Sequence, residues 1–594
     1  MTTNEKLSTL RAAMQSADIA AYIIPSSDPH QSEYFADHWK TREWLSGFTG
    51  SAGYLVITAH HAGLWTDSRY YAQAEIEFAG TEWQLHKQVV QGSPEHIGWI
   101  TKNLHEGSKV GFDGWLFSCD AVRNMRKVFH PYNLHLLTNV DFAAAIWKHR
   151  PALPHNPVFE HPVWYAGHSR TEKLEQIRNK MLELGAEWHL VTTLDDIAWT
   201  LNLRGSDVEF NPTFVAYLAI GLKKVYLFIQ EKKVEDELKA VLHDEHIFLK
   251  PYSQISHFLE ELEAHETILI DGANANHHLV HSVKHAKAVY DTTVSCHLKA
   301  CKNEMEIRHI RNAMVKDGVA LTRAFMWLHE TLEHRTTTEY EVSAMIAQYR
   351  SQQADYMGES FNAIISYKQN GGIIHYHPQP ESSAIIEKDG ILLLDSGGQY
   401  IDGTTDITRT IALGEPSAEQ KKHFTLVLKG HIALAALKFP AGTRGIQMDI
   451  LARMPLWEQG LNFGHGTGHG VGYFMNVHEP PQGFTATLTQ RGKTIMELGM
   501  LTSNEPGFYK DGEYGIRTEN LMVAVNDEKT EFGQFLRFDT VTLFPIDPKM
   551  IDGTLLETKE KQWLNAYHQK VYRELAPHLT ESERNWVGMQ CREI

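Results

Sequence analysis

The stretch LLLDSGGQYIDGTTDITRT, Leu392 to Thr410, constrains the fold of this chain more than any other. An apolar run ends in Asp395, and eleven positions later, among threonines and glycines, stands Asp406. The apolar run, a turn-rich centre and the alternating TDITRTIAL read together as a β-hairpin. With a two-residue loop, an odd separation puts both aspartates on one face of the sheet. The obvious turn, Asp402-Gly403, pairs Asp406 with Gln399 and leaves Asp395 roughly 13 Å away at strand rise. For the carboxylates to meet, the loop has to centre nearer Tyr400-Ile401 or carry a bulge, so a bulge or widened loop is expected. Carboxylates held together repel, so either one is protonated or a cation lies between them. A DG turn with solvated aspartates at its shoulders is the competing reading.

Other stretches favour the cation. GHGTGHGVG sets His465 and His469 among five glycines, where backbone approaches a ligand closely. NVHEP supplies His478, LTSNEPGFY supplies Glu505, and EYGIRTENLMVAV supplies Glu519 at the start of an apolar run. Two aspartates, two glutamates and a histidine make a hard, oxygen-rich set with one nitrogen. Such a set suits two divalent ions such as Mn²⁺, with Zn²⁺ or Co²⁺ as alternatives. Other motifs fail. In HETLEH the histidines, His329 and His334, are five apart and off a common helix face. GKT at Gly492 lacks the upstream glycine of a phosphate loop, and TGSAG has threonine where a nucleophile elbow begins.

At 594 residues the chain is too long for one core. Three blocks follow: residues 1–150 and 151–301, each alternating short apolar runs with helical stretches, and an α+β block at 302–594. The proline-rich joint Pro151 to Pro157 separates the first two. AYIIPSSD with WLSGFTGS in the first block, and WHLVTTLDD with NLRGSD in the second, suggest a weak internal duplication. Helices are expected over 303–334, over 419–438 with Ser417 as N-cap, and over 559–575. A formal charge of −17 argues against nucleic acid or an anionic membrane as partner. No apolar run reaches membrane-spanning length, and the N-terminus lacks a signal-peptide layout. Four cysteines without CxxC spacing form no disulfide framework, so a cytoplasmic address is expected.

DSGGQYIDGTTDITRT, GHGTGHGVG, NEPGFY and GIRTEN resemble the metal-site segments of the pita-bread metallopeptidases, in particular the aminopeptidase P group. IIPSSDPHQSEY, SGFTGSAG, WTDSRY, NLRGSDVE, IIHYHP, VLKGHIAL and FPAGTRG extend the resemblance over nearly the whole chain. It implies two creatinase-like N-terminal α/β domains followed by a pita-bread catalytic domain with a C-terminal helical extension. By position, Asp395 would bind one metal, His469 and Glu505 the other, with Asp406 and Glu519 bridging. His375 and His478 match the two active-site histidines, Arg517 an arginine beside the bridging carboxylates, and Phe361 the wall of a proline pocket. Arg69 matches a residue brought toward the substrate entrance, in some members across a dimer, and a homodimer is the implied assembly. His377 is a departure whose role stays open.

The activity so implied is removal of the N-terminal residue from peptides with proline in second position, by attack of a metal-bridging hydroxide. Glu505 would be base as well as ligand. His478 would hydrogen-bond the oxyanion, and His375 would hold the proline side or assist the leaving nitrogen. Prolidase, the Xaa-Pro dipeptidase, shares the catalytic segments but implies one N-terminal domain. A non-catalytic pita-bread peptide-binding protein would lack part of the ligand set, and here all five positions are filled.

Overall fold

The computed structural model describes residues 1–89 and 93–594, which divide into two compact units. The first comprises Met1–Pro162 and His168–Cys296, the second Val163–Gly167 and His297–Ile594.

Two six-stranded mixed sheets organise the first unit. The apolar run Ala21–Ile24, buried along its length, pairs antiparallel with Tyr54–Thr58 and parallel with Lys109–Gly111. Ala62–Thr66 and Gln84–Lys87 extend one side, and His135–Leu137 closes the other. The second sheet repeats this plan around Trp188–Val191, which pairs antiparallel with Tyr217–Gly221 and parallel with Thr267–Ile270. Val225–Ile229, Ile247–Pro251 and Lys287–Tyr290 take the corresponding outer places with the same strand senses. The duplication hinted at by the sequence is therefore carried by topology. His30 links the halves: its Nδ1 lies 2.7 Å from the Thr192 carbonyl oxygen and its Nε2 3.0 Å from the Tyr252 hydroxyl.

The second unit is α+β. Asn303 caps the helix Glu304–His334 by accepting from the Met305 and Glu306 amides, and Glu306 accepts from Asn303 in return, a full capping box. Ile310, Met314, Leu321, Phe325 and Leu328 are buried along it, as their spacing requires. Ser417 caps Ala418–Ala435, which ends before the expected 438 because Lys438–Pro440 pairs instead with Gly533–Thr540. Thr558–Leu575 buries Leu564, Tyr567, Val571 and Leu575, and a further helix, Glu581–Gln590, follows.

Two antiparallel sheets carry the polar residues of interest. One is the triplet Ile364–Tyr367, Ile391–Ser396 and Ile407–Ala412. The other has six strands, including Gly468–Gly470, Glu479–Phe484, Leu501–Asn504 and Asn520–Thr530.

The hairpin departs from expectation. Asp395 pairs with Thr408 and Ser396 with Ile407, and the same register continues through Gln399–Thr404 and Tyr400–Gly403 around a two-residue turn, Ile401-Asp402. There is neither bulge nor widened loop. The turn sits one residue earlier than the Asp-Gly pair suggested, and the aspartates become diagonal rather than direct neighbours. Gly397, opposite Asp406 in this register, lies where the ladder narrows. A Cβ there would stand well inside van der Waals distance of the Thr405 carbonyl oxygen and the Ser360 hydroxyl.

Gly397→Ala is expected to destabilise the chain by about 1–3 kcal/mol through overpacking, read as a lower denaturation midpoint with an unchanged m-value. Wild-type stability in this variant would show that the hairpin tolerates a side chain at its narrowest point.

Candidate metal centre

Strand alternation brings Asp395, Thr408 and Asp406 to one face of the hairpin. Diagonal neighbours across an antiparallel pair lie about 7–8 Å apart, a span that two carboxylates with cations between them fill. Glu519 arrives just ahead of the strand Asn520–Thr530, and its amide donates to the Thr408 carbonyl oxygen at 3.1 Å. The Thr408 hydroxyl donates to Glu519 Oε2 at 2.8 Å. Glu505 follows the strand Leu501–Asn504, with its amide bonded to the Thr467 carbonyl oxygen at 2.8 Å. His469 lies on Gly468–Gly470 beside that strand; a side chain at Gly468 would collide with the Ser503 carbonyl oxygen, so the glycine permits the approach.

The side chains converge. His469 Nδ1 lies 3.0 Å from the Gly470 carbonyl oxygen, so it carries the proton and leaves the Nε2 lone pair toward the cluster. That nitrogen lies 3.5 Å from Asp406 Oδ2 and 3.4 Å from Glu505 Oε1. Ligand atoms of Asp406, His469 and Glu519 all lie within 4.8 Å of one another. Arg517 donates to Asp395 Oδ2 through Nη2 at 2.6 Å and Nε at 3.2 Å, and its Nη1 donates to the Tyr509 hydroxyl at 2.6 Å. The His478 ring stands edge-on to that of His469, centroids 4.3 Å apart.

Burial dominates the electrostatics. It raises the carboxyls of Asp395 and Glu505, lifts Asp406 to about 6, and pushes Glu519 well above the usual range with help from the Asp406, Glu505 and Asp395 charges. Burial also lowers His469 to about 4, with His478 adding to the effect, so its imidazole is neutral and ready to ligate. Arg517 is one cation against four carboxylates.

Asp395 Oδ1 and Glu519 Oε1 are buried without any hydrogen-bond partner. An orphaned charged oxygen costs more than the about 1–3 kcal/mol of a neutral one. Four carboxylates around one imidazole, with two oxygens unspent, fit two dications. Asp395, Asp406, His469, Glu505 and Glu519 are the residues able to hold them.

The other sequence candidates fall on both units. Phe361 is buried just ahead of the strand Ile364–Tyr367, whose Ile364 pairs with Asp395. His375 lies in the irregular segment after that strand. His377 follows in the same segment, with its Nδ1 buried and without a hydrogen-bond partner. Arg69 belongs to the first unit, where Asp67 grips its guanidinium at 2.8 Å on two edges. His465 turns to the Tyr509 hydroxyl at 2.9 Å, leaving His469 as the ligand-type histidine of the glycine-rich loop. Sequence reasoning missed Thr408, Tyr509 and Ser503. Thr408 was visible as the residue two beyond Asp406 on the same face, and Tyr509 stood inside NEPGFY. Ser503, whose hydroxyl accepts from the His469 amide at 3.0 Å and lies 3.4 Å from Glu505 Oε1, left no signal.

Comparison with known proteins follows the same lines. Residues 308–526 match metallopeptidase family M24 and residues 534–594 the C-terminal region of that family. Residues 6–151 and 149–306 each match a creatinase/prolidase N-terminal domain. The chain is 39% identical to a probable Xaa-Pro aminopeptidase P of Laccaria bicolor, over 100% of this chain and 94% of that one. It is 39% identical to aminopeptidase P2 of Arabidopsis thaliana, over 100% and 88%. The crystal structure of an X-prolyl aminopeptidase from Caenorhabditis elegans, described as a cytosolic enzyme with a di-nuclear active site, superposes with a TM-score of 0.96 at 34% identity, covering 100% of both chains.

Thr408 holds Glu519 and accepts from Arg517 Nε at 3.2 Å. Thr408→Val, of equal shape, is expected to weaken metal affinity about 10–100-fold, measured by competition with a chelator, while Thr408→Ser retains it. Equal affinity in all three proteins would mean that the hydroxyl does not orient the ligands.

Proposed function

This chain belongs to metallopeptidase family M24, among its Xaa-Pro aminopeptidases, and we propose that Asp395, Asp406, His469, Glu505 and Glu519 form the dinuclear centre with which it works. It is a metal-dependent aminopeptidase that removes the N-terminal residue from peptides with proline in second position. The observation that carries the residue assignment is the pair of buried, unpartnered oxygens, Asp395 Oδ1 and Glu519 Oε1, in a cluster that already holds a neutral imidazole. In this reading the catalytic domain occupies 302–594, following in the chain the creatinase-like domains at 1–150 and 151–301.

Asp395 would hold one ion, His469 and Glu505 the other, and Asp406 and Glu519 both. When bound, the ions supply Lewis-acid polarisation of the scissile carbonyl and a water made nucleophilic near neutral pH. The remaining work falls to side chains. Arg517 occupies Asp395 Oδ2, so that carboxylate presents a single aimed oxygen. Glu505, its carboxyl raised by burial, takes the proton of the attacking water. His478, edge-on to His469, donates to the developing oxyanion. The segment carrying His478 is steadied by the buried ion pair of Glu479 with Lys302.

Proline accounts for the rest of the site. A bond preceding proline has no N–H, and the ring fixes φ, so ordinary strand-like binding fails. Phe361 would wall the ring, and His375 would hold the proline side or assist departure of the secondary amine.

Four carboxylates to one imidazole favour Mn²⁺ as the resident metal, ahead of Zn²⁺ and Co²⁺. A homodimer is supported by the helix Gly445–Trp457, where Ile450, Met454 and Trp457 share a stripe and are 48, 47 and 45% exposed. A cytoplasmic address is supported by the description of the Caenorhabditis elegans neighbour as cytosolic. No helix among the described residues is long and apolar enough to cross a membrane.

The test compares metal-free and Mn²⁺-loaded protein on Arg-Pro, Arg-Pro-Pro, Arg-Ala-Pro and N-acetyl-Arg-Pro-Pro. Mn²⁺-dependent release of arginine from unblocked Arg-Pro-Pro is expected, with the acetylated and alanine peptides intact. Cleavage confined to Arg-Pro would identify a dipeptidase instead. Asp406→Asn and Glu519→Gln are each expected to abolish most turnover. His478→Ala is expected to lower kcat about 10²–10³-fold and to keep two ions per chain by elemental analysis. Loss of metal in that variant would remove His478 from the oxyanion role.

A further inference from the structure

A second group of ligating side chains lies in the second unit, built from residues that the dinuclear centre does not use. His297 and Cys301 are four apart at the end of the helix Val294–Ala300, and the Cys301 amide still reaches back to the His297 carbonyl oxygen at 3.4 Å. Both side chains therefore leave one face. Glu497 comes from the segment ahead of the strand Leu501–Asn504. The two segments are tied side by side by a bridge between Cys301 and Met500 and by the Lys302 amide donating to the Gly499 carbonyl oxygen at 3.0 Å.

His297 Nε2 lies 3.4 Å from Glu497 Oε2, and one ligand atom from each of His297, Cys301 and Glu497 falls within 4.8 Å of the others. Tetrahedral zinc, with bonds of about 2.0–2.3 Å, spaces its donors about 3.3–3.8 Å apart. Closure asks for about 1 Å of adjustment. The His297 and Glu497 side chains, 50% and 45% exposed, are free to make it.

The donor set decides the metal class. A thiolate, an imidazole and a carboxylate suit zinc-class ions, whereas Mn²⁺ prefers the oxygen-rich surroundings of the other centre. Burial and the Glu497 carboxylate push the Cys301 thiol up to about 11, so it is protonated until a cation takes the proton's place. Lys302, the nearest ammonium along the chain, is committed to Glu479.

We propose that His297, Cys301 and Glu497 form a mononuclear site for a zinc-class divalent ion, separate from the dinuclear centre and with solvent completing its coordination. An ion bound here clamps the end of the helix Val294–Ala300 to the segment that runs into Ser503 and Glu505. The sequence concealed the site because its third ligand is remote in the chain and no second cysteine marks it.

The test uses Mn²⁺-loaded holoenzyme titrated with Co²⁺. The dinuclear ligand set holds no sulfur, so thiolate-to-cobalt charge-transfer absorption reports a cysteine site alone. The band is expected to saturate at one cobalt per chain, to vanish in C301S and to persist in C591S. H297A and E497Q are each expected to weaken cobalt binding at least about tenfold. A wild-type protein without the band, or a band that survives in C301S, overturns the proposal, as does unchanged affinity in H297A and E497Q. Mn²⁺-supported peptide cleavage is expected to be unchanged in C301S, so failure of this site and failure of the assigned activity read out separately.

Discussion

The second unit depends on one electrostatic constraint: four carboxylates are gathered, three of them buried and Glu505 partly so, with one guanidinium among them. Each buried anion costs several kcal/mol unless cations and hydrogen bonds compensate it. Arg517 neutralises Asp395 and leaves the others short of positive charge, which is the demand that two dications meet. The surroundings keep that demand from collapsing into disorder. Thr408 fixes Glu519, Ser503 links Glu505 to the His469 amide, and Tyr509 ties Arg517 to His465.

That arrangement needs the strands beneath it to be immobile. Arg409, on the opposite face of the hairpin from Thr408, is buried and spends its guanidinium on the carbonyl oxygens of Glu519, Phe544 and Pro545, on Asn520 and on the Tyr567 hydroxyl. One side chain thus joins the hairpin to the strand behind Glu519 and to the helix Thr558–Leu575. The helical extension at the C-terminus is part of what holds the metal face in register. Breaking one buried pair in such a network strands the partners that remain.

Much of this was legible in the chain. The capped helices follow from Asn303 and Ser417 with their apolar stripes, because capping and 3.6-residue periodicity are local properties. The four carboxylates were legible because acids inside or beside apolar runs are costly and so stand out, whereas His469 was singled out from His465 by resemblance. The first unit was legible only in outline. Two similar short segments hinted at a repeat, whereas the identical strand order of its two sheets is set by long-range pairing that no local pattern encodes.

The amino-acid sequence by itself determined the residue types at the metal face, their placement on alternating strands and the helices around them, since each follows from local backbone preference and the cost of burying charge. Tertiary structure alone decided the hairpin register, in which a turn at Ile401-Asp402 makes Asp395 and Asp406 diagonal neighbours. It also decided that His465 turns to the Tyr509 hydroxyl, and that His297, Cys301 and Glu497 come together. The physical reason is the same in each case. Register, ring orientation and remote clustering depend on which backbones pack against one another, and residues far apart in the chain carry no local trace of that contact.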